Sequence, residues 1–416
     1  MDITELYAVL LGLTSPWNVV DVLVNEAEKR VDVQAEHEPG TRFPCPECGD
    51  LLPVYDHAPI RAWRHLDSCH YCTFLHACVP RVACRHHGVK QVLVPWALPS
   101  SRFTIPFEQW AIAVLHETDI QGAAQLLRIS WDQTWGIMER AVARGQKRKR
   151  RRIIPFLGVD EKSVGAGQDY FTLVTDLTRS TVEYIADDRT KESLAGFYEG
   201  FNTRQLAGIQ AVAMDMWGPF IRATRDHVPD AEQKIVFDRF HIMKHMNEAV
   251  DAVRKKEHRN LRQKGDDILS GTKYLWLFAE ENLPEKHQER FAILKGLHLK
   301  TARAWALKEM LRDLWRYKRR GWAVKHFRSW NQWATRSRLE PVRKVAVMLR
   351  GHLANVLTYF DHRITNATCE GVNNKIQAIK HSAFGFRNRD HFRTAIFFHC
   401  GGLDLRPSLL KNVGVP

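Results

Sequence analysis

Between residues 153 and 262 the hydrophobic period switches back and forth, and the order of those switches restricts the fold more than any other feature of the chain. The runs "IIPFLGVDEKSV", "DYFTLVTDL" and "STVEYIADDR" have strand length and strand pattern, and they follow one another at hairpin distance. Next, "KESLAGFYEGF" reads as helix, "GIQAVAMDMW" as a buried strand and "GPFIRATRDHVP" as helix. A short strand, "QKIVFD", and a long helix, "RFHIMKHMNEAVDAVRKKEHR", close the series. Three strands followed by alternating helices and strands specify an α/β sheet with antiparallel and parallel parts. Residues 251–360 then read as almost wholly helical. They carry Trp276, Trp305, Trp315, Trp322, Trp330 and Trp333, most of them expected as helix-packing core.

A chain of 416 residues is too long for one ordinary core, so further domains are expected around that sheet. Residues 1–41 read as a short helix, "ELYAVLLGL", and a strand within "WNVVDVLVNEAEKRVDVQAE". Residues 42–100 hold most of the cysteines and short strand-like runs such as "QVLVPW". Residues 104–145 turn helical: "TIPFEQWAIAVLHET", then "IQGAAQLLRI", then "WDQTWGIMERAVARG" with Ser130 as its cap. A run of basic residues, Arg144 to Arg152, reads as a linker that can track phosphates.

The net charge of +14 favours a polyanionic partner, nucleic acid foremost. The early apolar run Leu6 to Leu13 is too short for a membrane span and lacks the basic start of a signal peptide. Of the eight cysteines, all but Cys369 and Cys400 lie between Cys45 and Cys84, a clustering that suggests metal rather than disulfides.

Three constellations carry chemistry. The first joins "CPEC" to "ACRHHG": Cys45 and Cys48, then Cys84 and His87, each pair with two residues between ligands, as a tetrahedral structural zinc ion requires. Cys69, His70, Cys72, Cys78, His57 and His65 are rivals for that site. The second is the helical trio, whose spacing matches a helix-turn-helix. The third helix would offer Trp131, Asp132, Gln133 and Thr134 at its start, with Lys147, Arg148, Lys149 and Arg150 reaching phosphates beyond its end. The third is a set of acids. Asp160 in "FLGVDEKS" and Asp215 in "AVAMDMWGP" both follow apolar strand runs, the pattern of carboxylates converging on shared metal ions. Magnesium prefers such hard oxygen ligands. A third carboxylate is needed, and Glu370 in "TNATCEGVNNKIQAIK" is the candidate, with Glu161 and Asp176 as blander alternatives. On a helix, Asn373, Asn374, Gln377 and Lys380 or His381 share the face of Glu370. With Lys375 they form a polar and basic surface suited to DNA behind a metal ligand.

With these residues assembled, the chain resembles a DDE transposase with a ribonuclease-H-like core, and more closely the ISL-three-type (ISL3) insertion-sequence transposases. The resemblance runs from "CPEC" through "VPRVACRHHGVKQVLVPWA", "GVDEKS", "AMDMWGPF" and "FDRFHIMKHMNEAVDAVR" to "TNATCEGVNNKIQAIKHSAFGFRN". It implies that Asp160, Asp215 and Glu370 are the catalytic acids, holding two Mg²⁺ or Mn²⁺ ions. It maps Asp238 and His241 in "DRFH" as accessory active-site residues. It assigns Cys45, Cys48, Cys84 and His87 to one structural Zn²⁺. The implied organisation is a zinc module at about 42–90 within residues 1–100 and a helix-turn-helix with basic linker at 101–150. A catalytic core follows at 151–250, a helical insertion at 251–360, and the core's final helix and tail at 361–416. The implied function is binding of terminal inverted repeats, strand cleavage and strand transfer, by a dimer or larger assembly on double-stranded DNA in the bacterial cytoplasm. The alternatives are a non-catalytic DNA-binding regulator and a structure-specific nuclease on the same fold.

Overall fold

The structure of the protein, a computed structural model, describes residues 2–165 and 169–408, so the end of the expected C-terminal tail lies outside the described residues. The chain forms two compact units, residues 1–149 with 379–416, and residues 150–378.

In the first unit, α1 (Ile3–Leu11) begins at a reciprocal capping box between Asp2 and Glu5 and stops at Gly12, whose φ of 65° is left-handed. The stretch expected to hold one strand is a hairpin: β1 (Trp17–Asn25) and β2 (Arg30–His37) pair antiparallel. The polar run "EAEK" makes the turn, but inside a continuous alternation it carries no Gly or Pro to mark it. The next strands are β3 (Arg42–Pro44), β4 (Leu51–His57), β5 (Arg61–Arg64), β6 (Cys72–Ala77), β7 (Pro80–Cys84) and β8 (Gly88–Gln91). They complete two four-stranded sheets, ordered β1-β2-β6-β5 and β3-β4-β7-β8. Of "QVLVPW" only Gln91 is strand; Val92, Val94 and Trp96 are buried from a loop. Trp96 meets Trp17 and Trp63 edge to face, with ring centroids 4.8 and 5.4 Å away.

Three helices follow: α2 (Ile105–Glu117), α3 (Ile120–Leu127) and α4 (Trp131–Arg148), each opened by a side-chain cap from Thr104, Asp119 and Ser130. Helix α4 absorbs most of the expected linker. Gln, Lys and Arg are good helix formers, and cations at a helix C-terminus are favourable. The C-terminal segment also holds the run in place. Arg144 donates to Leu405 O at 2.8 Å, Arg148 to Arg406 O at 2.6 Å, and Lys149 to Gly401 O at 3.1 Å. The last helix, Arg389–Cys400, packs on this trio, with the His391 ring 4.1 Å from Trp135 and the Phe398 ring 4.5 Å from His116.

The second unit is built on β9 (Phe156–Ser163), β10 (Tyr170–Asp176), β11 (Thr181–Asp187), β12 (Ala211–Met214) and β13 (Ile235–Phe237), in the order β11-β10-β9-β12-β13. The first three are antiparallel, whereas β12 runs parallel to β9 and β13 parallel to β12. Helices α5 (Lys191–Glu199), α6 (Thr203–Ala207), α7 (Gly218–His227) and α8 (Ala231–Lys234) lie in the connections, and α9 (Arg239–Arg262) leaves the last strand. This is the expected mixed α/β sheet with helices.

The expected helical insertion follows: α10 (Lys273–Leu277), α11 (Glu285–Gly296), α12 (Lys300–Arg312), α13 (Arg320–Arg336), α14 (Glu340–Gly351), α15 (Leu353–Leu357) and α16 (Tyr359–His362). Trp276, Trp305, Trp315 and Trp330 are buried in a core continuous with that of the sheet, while Trp322 and Trp333 are 56% and 40% exposed. Lys308 is buried as well, and its ammonium donates to the carbonyls of Trp276, Leu277 and Phe278 at 3.1, 3.1 and 2.6 Å, closing the end of α10. Helix α17 (Ala367–Ser382) carries Glu370.

Because the last helix buries Phe392 and Ile396 completely, the helical trio has a wall that comes from the other end of the chain. A protein truncated after Ser382 should therefore lose cooperative unfolding of its N-terminal part and bind an apolar dye at room temperature. A fully native-like melt of the truncated chain, followed by circular dichroism, would contradict this packing role.

Candidate active site

The strand register places the acids. Ala213 of β12 pairs with Gly158 of β9, and Met214 pairs with Phe237 of β13. Continuing both ladders puts Asp160, Asp215 and Asp238 at one level across three adjacent strands, where neighbours lie about 4.8 Å apart. This is the carboxyl edge of the parallel strands, at the point where the sheet switches between antiparallel and parallel pairing. Asp215 and Asp238 directly follow β12 and β13. Asp160 lies within β9 rather than at its end, because β9 continues as the partner of β10 as far as Ser163, opposite Tyr170.

Each carboxylate is held from the backbone. Asp160 Oδ1 accepts the Glu161 N–H at 2.8 Å, Asp215 Oδ1 the Trp217 N–H at 3.1 Å, and Asp238 Oδ1 the Phe240 N–H at 3.2 Å. The second oxygen of Asp238 is buried without a hydrogen-bond donor, and His241 Nε2 stands 3.9 Å from it. Burial pushes the Asp160 carboxyl up to about 6, and the charges of Asp215 and Asp238 add to that, against the Glu161 N–H and His241. Burial likewise raises Asp215 and Asp238, with His241 opposing in both cases.

Helix α17 meets this edge through a short bond: Asn373 Nδ2 donates to Asp160 Oδ2 at 2.7 Å. Lys162 Nζ donates to the Asn373 carbonyl at 3.2 Å. Cys369 is buried and packs over Gly158, where any Cβ would collide with its sulfur. Glu370, the next residue, is exposed, and no hydrogen bond or ion pair to its carboxylate occurs among the described residues. Both bland alternatives are engaged elsewhere. Asp176 is buried against Arg152 at 2.6 Å, and Glu161 is paired with Arg189 at 3.0 Å.

Of the residues expected to touch DNA, Thr134 is corrected. It is fully buried and its hydroxyl donates to Ser130 O at 2.9 Å, because position four of the helix turns into the trio's core. Gln133 is half-buried and closes the capping box, its Oε1 accepting the Ser130 N–H at 3.0 Å. Trp131 stacks on Trp135 but is 41% exposed. Arg148 and Lys149 are tied to the C-terminal segment as described, and Asn373 is tied to Asp160. Lys147, Arg150, Asn374 and Lys375 are exposed, and Lys380 is half-buried. Sequence reasoning missed Arg189 and Tyr170, which frame Asp215's side of the site; no local pattern points to them.

In the first unit, Cys45 and Cys48 stand in the turn after β3, Cys84 ends β7, and His87 lies in the turn before β8. Their ligand atoms all lie within 4.8 Å of one another, the one such group of three or more among the described residues. Cys48 and Cys84 sulfurs are 3.6 Å apart, unbonded, and Cys84 Sγ is 3.4 Å from His87 Nδ1. The His86 backbone N–H and His87 bring the Cys84 thiol down to about 6, toward the thiolate that binds metal. None of the rivals Cys69, Cys72, Cys78, His57 and His65 belongs to this group. Among the described residues no helix is long and apolar enough to cross a membrane.

Comparison with known proteins matches this architecture piece by piece. Residues 41–87 match the zinc-finger of the IS204/IS1001/IS1096/IS1165 transposases, and residues 92–142 the helix-turn-helix domain of transposase family ISL3. Two curated relatives span most of the chain. The transposase for insertion sequence element IS1001 of Bordetella parapertussis is 28% identical, covering 84% of this chain and 86% of its own. The transposase for insertion sequence element IS1557 of Mycobacterium tuberculosis is 26% identical, covering 92% of each. Residues 157–396, which hold all four acids and the helical insertion, match the DDE transposase domain of the same family, and the chain therefore belongs to the ISL3 transposases.

Proposed function

We propose that the protein cleaves DNA at the ends of its insertion sequence and joins them to target DNA, with Asp160, Asp215 and Glu370 as the catalytic carboxylates. The observation that carries this reading is the level row of Asp160, Asp215 and Asp238, with the Glu370 helix bonded to Asp160 through Asn373. These hard oxygen donors fit divalent cations. Burial raises the pKa values of Asp160 and Asp215, one oxygen of Asp238 lacks a donor, and Glu370 is unengaged among the described residues. Two Mg²⁺ or Mn²⁺ ions bound there would polarise the phosphate and lower the pKa of water.

The chain's own residues do the rest. Asp160, Asp215 and Glu370 orient a water for attack on a phosphodiester at the element's end. The new P–O bond forms as the P–O3′ bond breaks, leaving a 5′-phosphate and a 3′-hydroxyl. That hydroxyl then attacks a target phosphodiester and displaces a target 3′-oxygen. Asp238, beside His241, is an accessory acceptor for the proton released. Asn373 fixes the rotamer of Asp160. Lys147, Arg150, Asn374, Lys375 and Lys380 are read as contacts to the DNA backbone, with Trp131 and Gln133 at the start of the reading helix. Cys45, Cys48, Cys84 and His87 would hold one Zn²⁺, which would tie the two turns of the ribbon together. Two ends must meet, so the working form is read as at least a dimer on DNA, in the bacterial cytoplasm.

Replacing Asp160, Asp215 or Glu370 with Ala should lower cleavage of end-containing DNA by roughly a thousandfold or more, with binding to the ends largely kept. Retained cleavage by Glu370→Ala in a strand-nicking assay would remove that residue from the set.

Asp160→Asn should also stabilise the metal-free protein. A carboxyl raised to about 6 is neutral in both states below its ordinary value near 4 and costs stability once it must ionise in the fold. The gain should thus be absent below about pH 4, grow between pH 4 and 6, and level off at about 1–3 kcal/mol. Chelator-treated protein melted across that range checks the sign; a gain that shrinks as pH rises would refute it.

Elemental analysis should find about one zinc per chain. Cys48→Ser should lose it and weaken end recognition while Cys78→Ser keeps it; equal zinc in both variants would disprove the ligand set.

A further inference from the structure

Beside Asp215 stands an assembly that the reaction above does not use. The Arg189 guanidinium lies between two rings, 4.5 Å from the Tyr170 centroid and 4.8 Å from the Trp217 centroid. It is anchored on Glu161, with bonds of 3.0 and 3.3 Å to the two carboxylate oxygens. Trp217 is in turn pinned at three points. Its indole N–H donates to Arg189 O at 2.9 Å, its backbone N–H to Asp215 Oδ1 at 3.1 Å, and its ring rests on the guanidinium. Yet Trp217 is 36% exposed. A large ring held at three points, partly open to solvent and two residues from Asp215, offers a face fixed in advance beside the carboxylates.

The occupant follows from the position. Trp217 is two residues from Asp215, and its backbone holds that carboxylate. Whatever brings a phosphate to Asp215 brings the attached nucleotide toward the indole. Each base has a π-face, and stacking on an aromatic ring stabilises by about 1–3 kcal/mol whichever base it is. Arg189, Glu161 and Tyr170 fix the ring in advance, so little side-chain freedom is lost on stacking.

We propose that Trp217 is the stacking platform for a nucleobase flanking the cleaved phosphodiester, with Arg189 as its positioning residue. This rests on the reading of Asp160, Asp215 and Glu370 as catalytic. The test compares full-length wild type, Trp217→Ala and Trp217→Phe in Mn²⁺. The substrates are end-repeat duplexes, intact or with a single abasic nucleotide at each position around the cleavage site. On intact DNA, Trp217→Ala should cleave about tenfold more slowly or worse, and Trp217→Phe should recover most of the rate. At one position the abasic substrate should bring wild type and Trp217→Ala to within about twofold, since there is no base left to stack. A penalty that stays the same on every substrate, or none on intact DNA, overturns the proposal.

2-Aminopurine at that position, read in Ca²⁺ without cleavage, should change fluorescence on binding wild type and Trp217→Phe but not Trp217→Ala. An equal change in all three also overturns it. If wild type does not cleave, or Asp160→Asn still does, the catalytic reading falls instead, and the fluorescence arm decides the role of Trp217 by itself.

Discussion

Three carboxylates level across adjacent strands repel one another, and much of the second unit is arranged to keep them there. The parallel ladders from β9 to β12 and from β12 to β13 fix the level, since a slip of one residue would turn a side chain to the other face of the sheet. Backbone N–H groups from Glu161, Trp217 and Phe240 each give one favourable bond to an ionised oxygen. These bonds do not cancel burial, and Asp160, Asp215 and Asp238 all remain shifted toward the protonated form. Such an arrangement is strained without positive charge and relaxed with it. That asymmetry is a physical reason for a cation site, independent of any resemblance.

The fourth acid comes from far along the chain, and its placement depends on close packing. Gly158 leaves room for the Cys369 sulfur against β9, and Asn366, buried beside it, lines the same approach. One turn later Asn373 reaches Asp160. Between α9 and α17 lies a run of helices in which Phe291 meets Trp276 and Trp305 edge to face at 5.1 Å each. These rings belong to one continuous core with Leu157 and Met214 of the sheet and Ile242 and Met246 of α9, so the added helices extend the unit's core. The long sequence gap before Glu370 is therefore compatible with a tightly specified contact at its end.

The order of strands and helices in residues 153–262 was legible because apolar periodicity is local, and each run is bounded by polar or turn residues. The zinc ligands were legible for the same reason: two residues between ligands is a property of one turn. What a linear reading could not supply was pairing. Asp160 reads as the end of a strand, since "DEKS" turns polar; the strand persists because β10 remains its partner after β12 has ended. Thr134 reads as a helix-start residue open to DNA, and the trio's core takes it instead. Tyr170, Arg189 and Trp217 come from three separate parts of the chain. Their stack leaves no periodic trace, and cation–π geometry is visible only in space.

Charge shows the same division between composition and placement. The basic run at the end of α4 looks, by count, like a patch for phosphates. Arg144, Arg148 and Lys149 instead donate to carbonyls of the segment that follows the last helix, and Arg148 also pairs with Asp404 at 3.3 Å. Each of those bonds satisfies a carbonyl that has no strand or helix partner, so the cations there hold the C-terminal segment to the helical trio. Lys147 and Arg150 remain exposed within the same run. Counting charges therefore overstates what the run can offer to phosphate, since three of its cations are already held by the chain's own backbone.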